Sequence, residues 1–107
     1  MTARPTTADL VHAGLRRVSE TRRAATARYQ RGAISPVHWR SALAHSHARE
    51  ARWWGVLARV AVRDHSVPQI YVSAVAAAQG AALTDAARWA ESARDHARTA
   101  AVPSRVA

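Results

Sequence analysis

The chain has 107 residues, with sixteen arginines against seven acidic residues and a formal net charge of +9 at neutral pH. This length fits one small domain, and the absence of cysteine excludes both a disulfide framework and a thiol nucleophile. The N-terminal residues are polar and lack the apolar stretch of a secretory signal, so we expect a cytoplasmic protein.

The positive charge is concentrated in the first 63 residues. These hold twelve arginines against Asp9, Glu20 and Glu50, whereas basic and acidic residues balance in the rest of the chain. Lysine is absent and alanine is abundant, which indicates a GC-rich genome and explains arginine in place of lysine, but not this asymmetry. A concentrated positive field attracts polyanions such as nucleic acid or an anionic membrane surface.

The first predicted helix begins near Thr7. Thr6 or Thr7 suits the N-cap, Asp9 lies in the first turn near the positive helix end, and Gly32 suits the position after the last turn. Helical spacing predicts one inward stripe: Ala8, Val11, Leu15, Val18, Ala25 and Tyr29.

The second predicted helix begins at Ser35, with Pro36 in the first helical position, and continues to about Asp64. Its inward stripe is rich in tryptophan and contains Trp39, Leu43, Trp53, Trp54, Leu57, Val60 and Ala61.

The third predicted helix opens at Pro68, after Ser66 and Val67, and continues to about Ala100, with Pro103 beyond its end. Its stripe is Tyr71, Val72, Val75, Gln79, Ala82, Ala86, Trp89, Ala90, Ala93 and Ala97. Gly80 and Thr84 face away from this stripe, which favours one long helix. A split near Thr84, giving four helices, is the alternative, because glycine is unfavourable in a helix interior.

These elements predict an all-α fold, an antiparallel three-helix bundle formed by residues 7–101. Residues 1–6 are expected to be a flexible N-terminus and residues 102–107 a frayed tail. Short connections favour an up-down-up arrangement. The small, alanine-rich core predicts self-association, with a dimer formed through the third helix as one form.

Two charges interrupt the inward stripes. In an antiparallel hairpin Arg22 should face His45 or Ser46, with Glu50 about 7 Å further along the helix. The two residues form either an ion pair that fixes the register or a partly exposed pair that fixes nothing.

The sequence predicts no chemistry beyond binding. His47 and Glu50 are three residues apart, but no second inward carboxylate accompanies Glu50, so we predict neither a metal nor another cofactor. The sequence contains no glycine-rich phosphate loop or nucleophile elbow. We therefore expect a protein that is not an enzyme and has no catalytic residues.

Arginines on the polar helix faces are the candidate binding site. Four of them share one quadrant of the second helix, opposite the tryptophan stripe and beside His45, and form a ridge about 20 Å long. Guanidinium groups donate two parallel hydrogen bonds to phosphate and stay charged. The predicted nucleic-acid-binding residues are Arg16, Arg17, Arg23, Arg28, Arg49, Arg52, Arg59 and Arg63.

The favoured hypothesis is a homo-oligomeric nucleic-acid-binding accessory or regulatory protein of a plasmid, phage or mobile element in a high-GC bacterium. A helix-turn-helix motif needs two short helices joined by a sharp turn, which the long second helix does not provide. We therefore expect contacts to phosphates to dominate over sequence-specific contacts to bases. One alternative is a helical interaction module for an acidic protein partner, with Trp53 and Tyr71 carrying affinity. Another is a membrane-associated protein anchored by the uncharged segment 66–84, although its many alanines favour a core helix.

Overall fold

A computed structural model describes residues 3–102 and contains three helices: α1 (Thr7–Gln30), α2 (Pro36–Arg63) and α3 (Gln69–Ala101). No strand occurs within that range, so the all-α prediction is confirmed. Helix α3 runs for 33 residues without interruption, and the alternative split near Thr84 is not found. The predicted tail, apart from Val102, and the first two residues of the predicted flexible N-terminus lie outside the described residues.

Helix α1 begins with a reciprocal pair of hydrogen bonds. The Thr6 backbone amide donates to the Asp9 carboxylate at 2.9 Å, and the Asp9 amide donates to the Thr6 hydroxyl at 3.1 Å. This capping box satisfies two amide groups that the helix leaves free. The Thr6 backbone amide, and after it the Thr6 hydroxyl, lower the pKa of Asp9, because a hydrogen bond donated to the carboxylate favours its charged form.

The turn between α1 and α2 depends on Gly32, which has a φ of +74°. The N–H groups of Gly32 and Ala33 donate to carbonyls in the last turn of α1 at 2.9 and 2.8 Å, as in a Schellman motif. Ser35 then caps α2, its hydroxyl accepting from the His38 amide at 3.0 Å, and Pro36 is the first helical residue. The predicted end of α1 and start of α2 are therefore confirmed.

The turn between α2 and α3 is held by Asp64. Its carboxylate accepts from the amide of Ser66 at 3.0 Å and from the hydroxyl of Ser66 at 2.6 Å. Both bonds lower the pKa of Asp64 because they favour its charged form, and the bond from the Ser66 hydroxyl has the larger effect. Pro68 occupies the N-cap of α3, and Gln69 is the first helical residue.

Helix α2 is central in an open bundle. Both α1 and α3 pack against α2, but within residues 3–102 no Cα atom of α1 lies within 8 Å of one in α3. The Cα atoms extend 69 × 31 × 14 Å, and their radius of gyration is 18.2 Å, against about 13 Å for a compact domain of this length. The molecule is therefore a flat layer of three antiparallel helices.

An aromatic clamp, formed by Tyr29, Trp39 and Trp89, joins the three helices at one end of the layer. Tyr29 of α1 stacks on Trp39 of α2 with ring centroids 4.4 Å apart, and Trp89 of α3 meets Trp39 edge-on at 5.3 Å. Arg40 lies 5.4 Å from the centroid of the Trp39 ring and donates to the Ser92 hydroxyl at 3.0 Å. Because Trp39 contacts both outer helices, it fixes their position around α2.

Small side chains form most of the core. The buried residues, apart from glycines, are Val11, Val18, Leu43, Ser46, Ala51, Ala61, Ala82 and Ala93. Four residues predicted to face inward are instead exposed, so the prediction was wrong for Ala8, Val60, Tyr71 and Ala97. In an open layer each outer helix has α2 alone to pack against, which leaves part of each stripe in solvent.

Replacing Gly14 or Gly80 by alanine should change the stability of the protein in opposite directions. A Cβ atom on Gly14 would overlap the indole ring of Trp53, whereas one on Gly80 would meet nothing within 4 Å. Alanine normally stabilises a helix interior by about 1 kcal/mol relative to glycine. We expect Gly80→Ala to raise the free energy of unfolding by about 0.5–1 kcal/mol, and Gly14→Ala to lower it by about 1–2 kcal/mol, because Trp53 must move.

Urea denaturation followed by circular dichroism measures both changes. Equal stabilisation by the two alanines would contradict the contact between Gly14 and the Trp53 ring.

Candidate nucleic-acid interface

All eight arginines predicted to bind phosphate are exposed. These are Arg16, Arg17, Arg23, Arg28, Arg49, Arg52, Arg59 and Arg63. None of them takes part in an ion pair within residues 3–102; the pairs found there involve other basic residues. Their guanidinium groups are therefore available to an external anion.

The four arginines of α2 share its outer side, as helical spacing places them there together with exposed His45. Glu50 is the only acidic residue in α2, and it points away from them towards α1, where Arg22 donates to its carboxylate at 3.3 Å. The ridge therefore carries no carboxylate from its own helix. We call the side of the layer with this ridge the arginine face.

Two arginines of α1 extend the arginine face. Trp53, which borders the same hollow as Arg49, lies over Gly14 of α1 and so marks this side of α1. At 100° per residue, Arg17 and Arg28 lie about 40–60° from Gly14, on the side away from the buried valines of α1, and both are exposed. The arginine face thus combines Arg17 and Arg28 with the four arginines of α2.

The other two arginines of α1 lie elsewhere. Arg16 and Arg23 are about 160–180° from Gly14 around the helix, and they border a separate hollow that also contains Glu20. The structure therefore does not bring these two predicted site residues together with the ridge of α2.

A polar cluster in the middle of the layer explains the orientation of Glu50. Arg22 Nε donates to the Ser46 hydroxyl at 3.0 Å, and Arg22 Nη2 lies 3.2 Å from His47 Nδ1 and 3.3 Å from Glu50 Oε2. Asp85 Oδ2 of α3 lies 4.0 Å from the same His47 nitrogen. The predicted register of Arg22 against Ser46 is confirmed, and Arg22 and Glu50 form a partly buried pair, their side chains 26% and 23% exposed.

The polar cluster does not form a metal site. Across residues 3–102 no group of three or more His, Cys, Asp or Glu side chains is arranged to hold a metal ion. The hydrogen bonds and ion pairs of the cluster link α1, α2 and α3.

Two shallow hollows adjoin the ridge and share Arg52 and Val56. The first, of about 260 Å³, is also bordered by Arg49 and Trp53. The second, of about 380 Å³, lies in the groove between α2 and α3. The two hollows therefore share a wall.

The floor of the second hollow is Gly55. A Cβ atom there would lie 2.8 Å from Gln79 Nε2 and 3.7 Å from Arg59 Nη1. The missing side chain therefore lets the Gln79 amide of α3 and the Arg59 guanidinium of α2 converge over one point. Leu83, 55% exposed, borders the hollow on the α3 side.

Gln79 was not among the predicted site residues, because helical spacing assigned it only to the inward stripe of α3. A carboxamide within a stripe of alanines was the available signal. Its neighbour Gly55 is 24 residues away in sequence, and their contact follows only from the register of α3 against α2.

Comparison with protein-family models, with curated proteins and with solved structures finds no match for this chain. The function therefore has to be argued from its own residues.

The segment proposed as a membrane anchor forms the α2–α3 turn and the first half of α3. Among the helices of residues 3–102, none combines the length and the hydropathy that crossing a membrane requires.

Proposed function

We propose that this protein binds nucleic-acid phosphates through the arginine face, as a cytoplasmic accessory or regulatory factor. The observation that carries the proposal is a row of exposed arginines on one side of α2 that form no ion pair within residues 3–102. The only acidic residue of that helix is turned away from them. Arginine suits this task because its planar fork matches phosphate oxygens and its charge does not titrate.

The length of the ridge matches a short stretch of nucleic-acid backbone. Arg49 and Arg63 are fourteen residues apart, which corresponds to about 20 Å of helix. Each strand of a duplex carries one phosphate per about 3.4 Å of helix axis, so the length of the ridge corresponds to an axial stretch with about six phosphates of one strand. Six arginines on the face supply a comparable number of contacts.

The shape of the layer favours contacts with the sugar-phosphate backbone of a nucleic acid over contacts with bases in the groove of a duplex. Helix α2 is flanked on both sides by α1 and α3, and the layer is 31 Å wide. The major groove of B-DNA is only about 12 Å wide and admits a single helix. The arginine face is therefore suited to lie along phosphates rather than to insert into a groove.

The same proposal assigns self-association to α3. This helix lies at the edge of the layer, packs against α2 alone, and exposes Ile70 and Tyr71 away from the hollow at Gln79. Residues 66–84 carry no charge, so two copies meeting there avoid the repulsion between their arginine faces. Sedimentation equilibrium of the protein without nucleic acid measures this association, and a monomer at high micromolar concentration would contradict it.

Fluorescence anisotropy with labelled duplex and single-stranded DNA tests the proposal at about 50 and 200 mM salt. Six phosphate contacts should reduce the affinity for duplex about a thousandfold across this range, because each contact releases condensed counterions. Absence of binding to either DNA at the lower salt would overturn the proposal and favour the alternative of an acidic protein partner.

A further inference from the structure

We propose that the arginine face receives single-stranded nucleic acid, with one unstacked base against Trp53 and a neighbouring base in the hollow at Gln79. This inference rests on the proposed phosphate binding and adds the strand type and the base-contacting residues. It is carried by the two adjoining hollows, each of which has an aromatic or amide group beside an arginine.

Trp53 supplies a stacking surface next to phosphate-binding groups. Its ring rests on the bare backbone at Gly14, which holds it in place, and the residue stays partly exposed in the hollow that it shares with Arg49 and Arg52. Proteins that bind single strands combine aromatic side chains, on which bases stack, with arginines that hold the phosphates between them. Trp39 and Trp89 pack against each other in the aromatic clamp and do not border this hollow.

The hollow at Gln79 has apolar walls and one polar edge. Val56 and Leu83 provide apolar surface, Gly55 forms the floor, and the Gln79 amide reaches in from α3. The side-chain hydrogen bonds that α3 makes within residues 3–102 do not involve this amide. A carboxamide presents a donor and an acceptor side by side, which matches the edge of a nucleobase.

The arrangement of the two hollows favours a single strand of nucleic acid over a duplex. Arg52 and Val56 stand between them, so two consecutive bases must separate to occupy both, and Arg52 then lies beside the phosphate that links them. Bases in a duplex are paired and stacked, and turning them outwards costs unpairing and unstacking energy. A single strand avoids most of that cost.

Anisotropy titrations with a labelled 12-nucleotide single strand, and with the duplex of the same sequence, test this inference. The wild-type protein should bind the single strand more tightly at 100 mM salt. Gln79→Ala should weaken single-strand binding about tenfold, leave duplex binding unchanged, and keep the salt slope, because it removes a base contact and no charge. Gly55→Ala should act in the same direction, because its Cβ atom displaces the Gln79 amide.

Gln69→Ala is the matched control. Gln69 is exposed at the start of the same helix and does not border the hollow, so single-strand binding should not change. Circular dichroism of each variant confirms that the helices are retained.

Tryptophan fluorescence provides a second readout. Binding of the single strand should quench part of the emission, and Trp53→Phe should remove most of that quenching, because Trp53 is the tryptophan that borders the hollow beside Arg49 and Arg52. The phenylalanine keeps an aromatic ring for packing against Gly14.

The two proposals fail in different ways. Duplex binding as tight as single-strand binding, or unchanged single-strand affinity in Gln79→Ala and Gly55→Ala, would overturn the base sites while phosphate binding remains. Absence of any binding at 50 mM salt would overturn the proposed function itself.

Discussion

Replacing Arg49 and Arg52 by alanine is expected to weaken nucleic-acid binding roughly a hundredfold at 50 mM salt. Each lost phosphate contact removes a counterion-release contribution, which at low salt corresponds to about a tenfold loss of affinity. The slope of log affinity against log salt for duplex DNA should become shallower by about 1.8, since each contact contributes about 0.9. Anisotropy titrations at four or more salt concentrations measure both quantities.

Arg16 and Arg23 provide the matched control for this substitution. Their double replacement removes the same two charges, but both side chains lie on the opposite side of α1 and border a hollow that contains Glu20. We expect a loss of affinity of less than about threefold and an unchanged slope, because distant charges act only through a screened field. Equal losses in the two double variants would show that binding follows net charge and not the arginine face.

Replacing Trp39 by alanine is expected to lower the free energy of unfolding by about 3–5 kcal/mol, because a large aromatic side chain that packs against both outer helices is removed. The substitution removes the stacking on Tyr29, the edge contact with Trp89 and the hydrogen bond from Trp39 Nε1 to the Thr26 hydroxyl at 3.1 Å. For a chain of this size the melting temperature should fall by roughly 15–30 °C. Thermal and urea denaturation followed by circular dichroism measure the change.

Trp39→Phe distinguishes the contribution of the hydrogen bond to stability from the contribution of the ring packing. It keeps an aromatic ring between Tyr29 and Trp89 but loses the donor to Thr26, so we expect a loss of about 1 kcal/mol. If Trp39→Ala were no more destabilising than Trp39→Phe, the clamp would not hold the outer helices.

Stability and binding should therefore depend on different residues. The clamp, the polar cluster and the small core residues contribute contacts between helices, whereas the arginines of the arginine face are exposed and outside the ion pairs of residues 3–102. Substitutions such as Arg49→Ala should leave the free energy of unfolding within about 0.5 kcal/mol of the wild-type value. Binding data from these variants can then be interpreted without a correction for unfolding.

Local sequence determined where the helices begin and end. Thr6 with Asp9, Gly32, and Ser35 with Pro36 act through hydrogen bonds and backbone angles within a few residues, so no other part of the chain was needed to place them. The pairing of Arg22 with Ser46 was also predictable, because a five-residue turn between antiparallel helices fixes which positions face each other.

Tertiary structure alone decided how the two outer helices are arranged around α2. The hydrophobic pattern gives each helix one inward stripe, but it does not give the angle between two neighbours of the same helix. Alanine-rich stripes fit an open layer as well as a closed bundle, since small side chains allow several close approaches. For this reason Tyr71, which the hydrophobic pattern assigns to the core, is exposed.

The candidate site also combines features that the sequence determines with features that depend on tertiary packing. The sequence determined that exposed arginines line one side of α2, because their spacing matches the helical repeat and the only acidic residue of α2 lies elsewhere. Only the packing decided that Arg17 and Arg28 join this ridge while Arg16 and Arg23 do not. Packing also brought Gln79 over Gly55, since a contact between distant segments depends on helix rotation and register, and local propensity specifies neither.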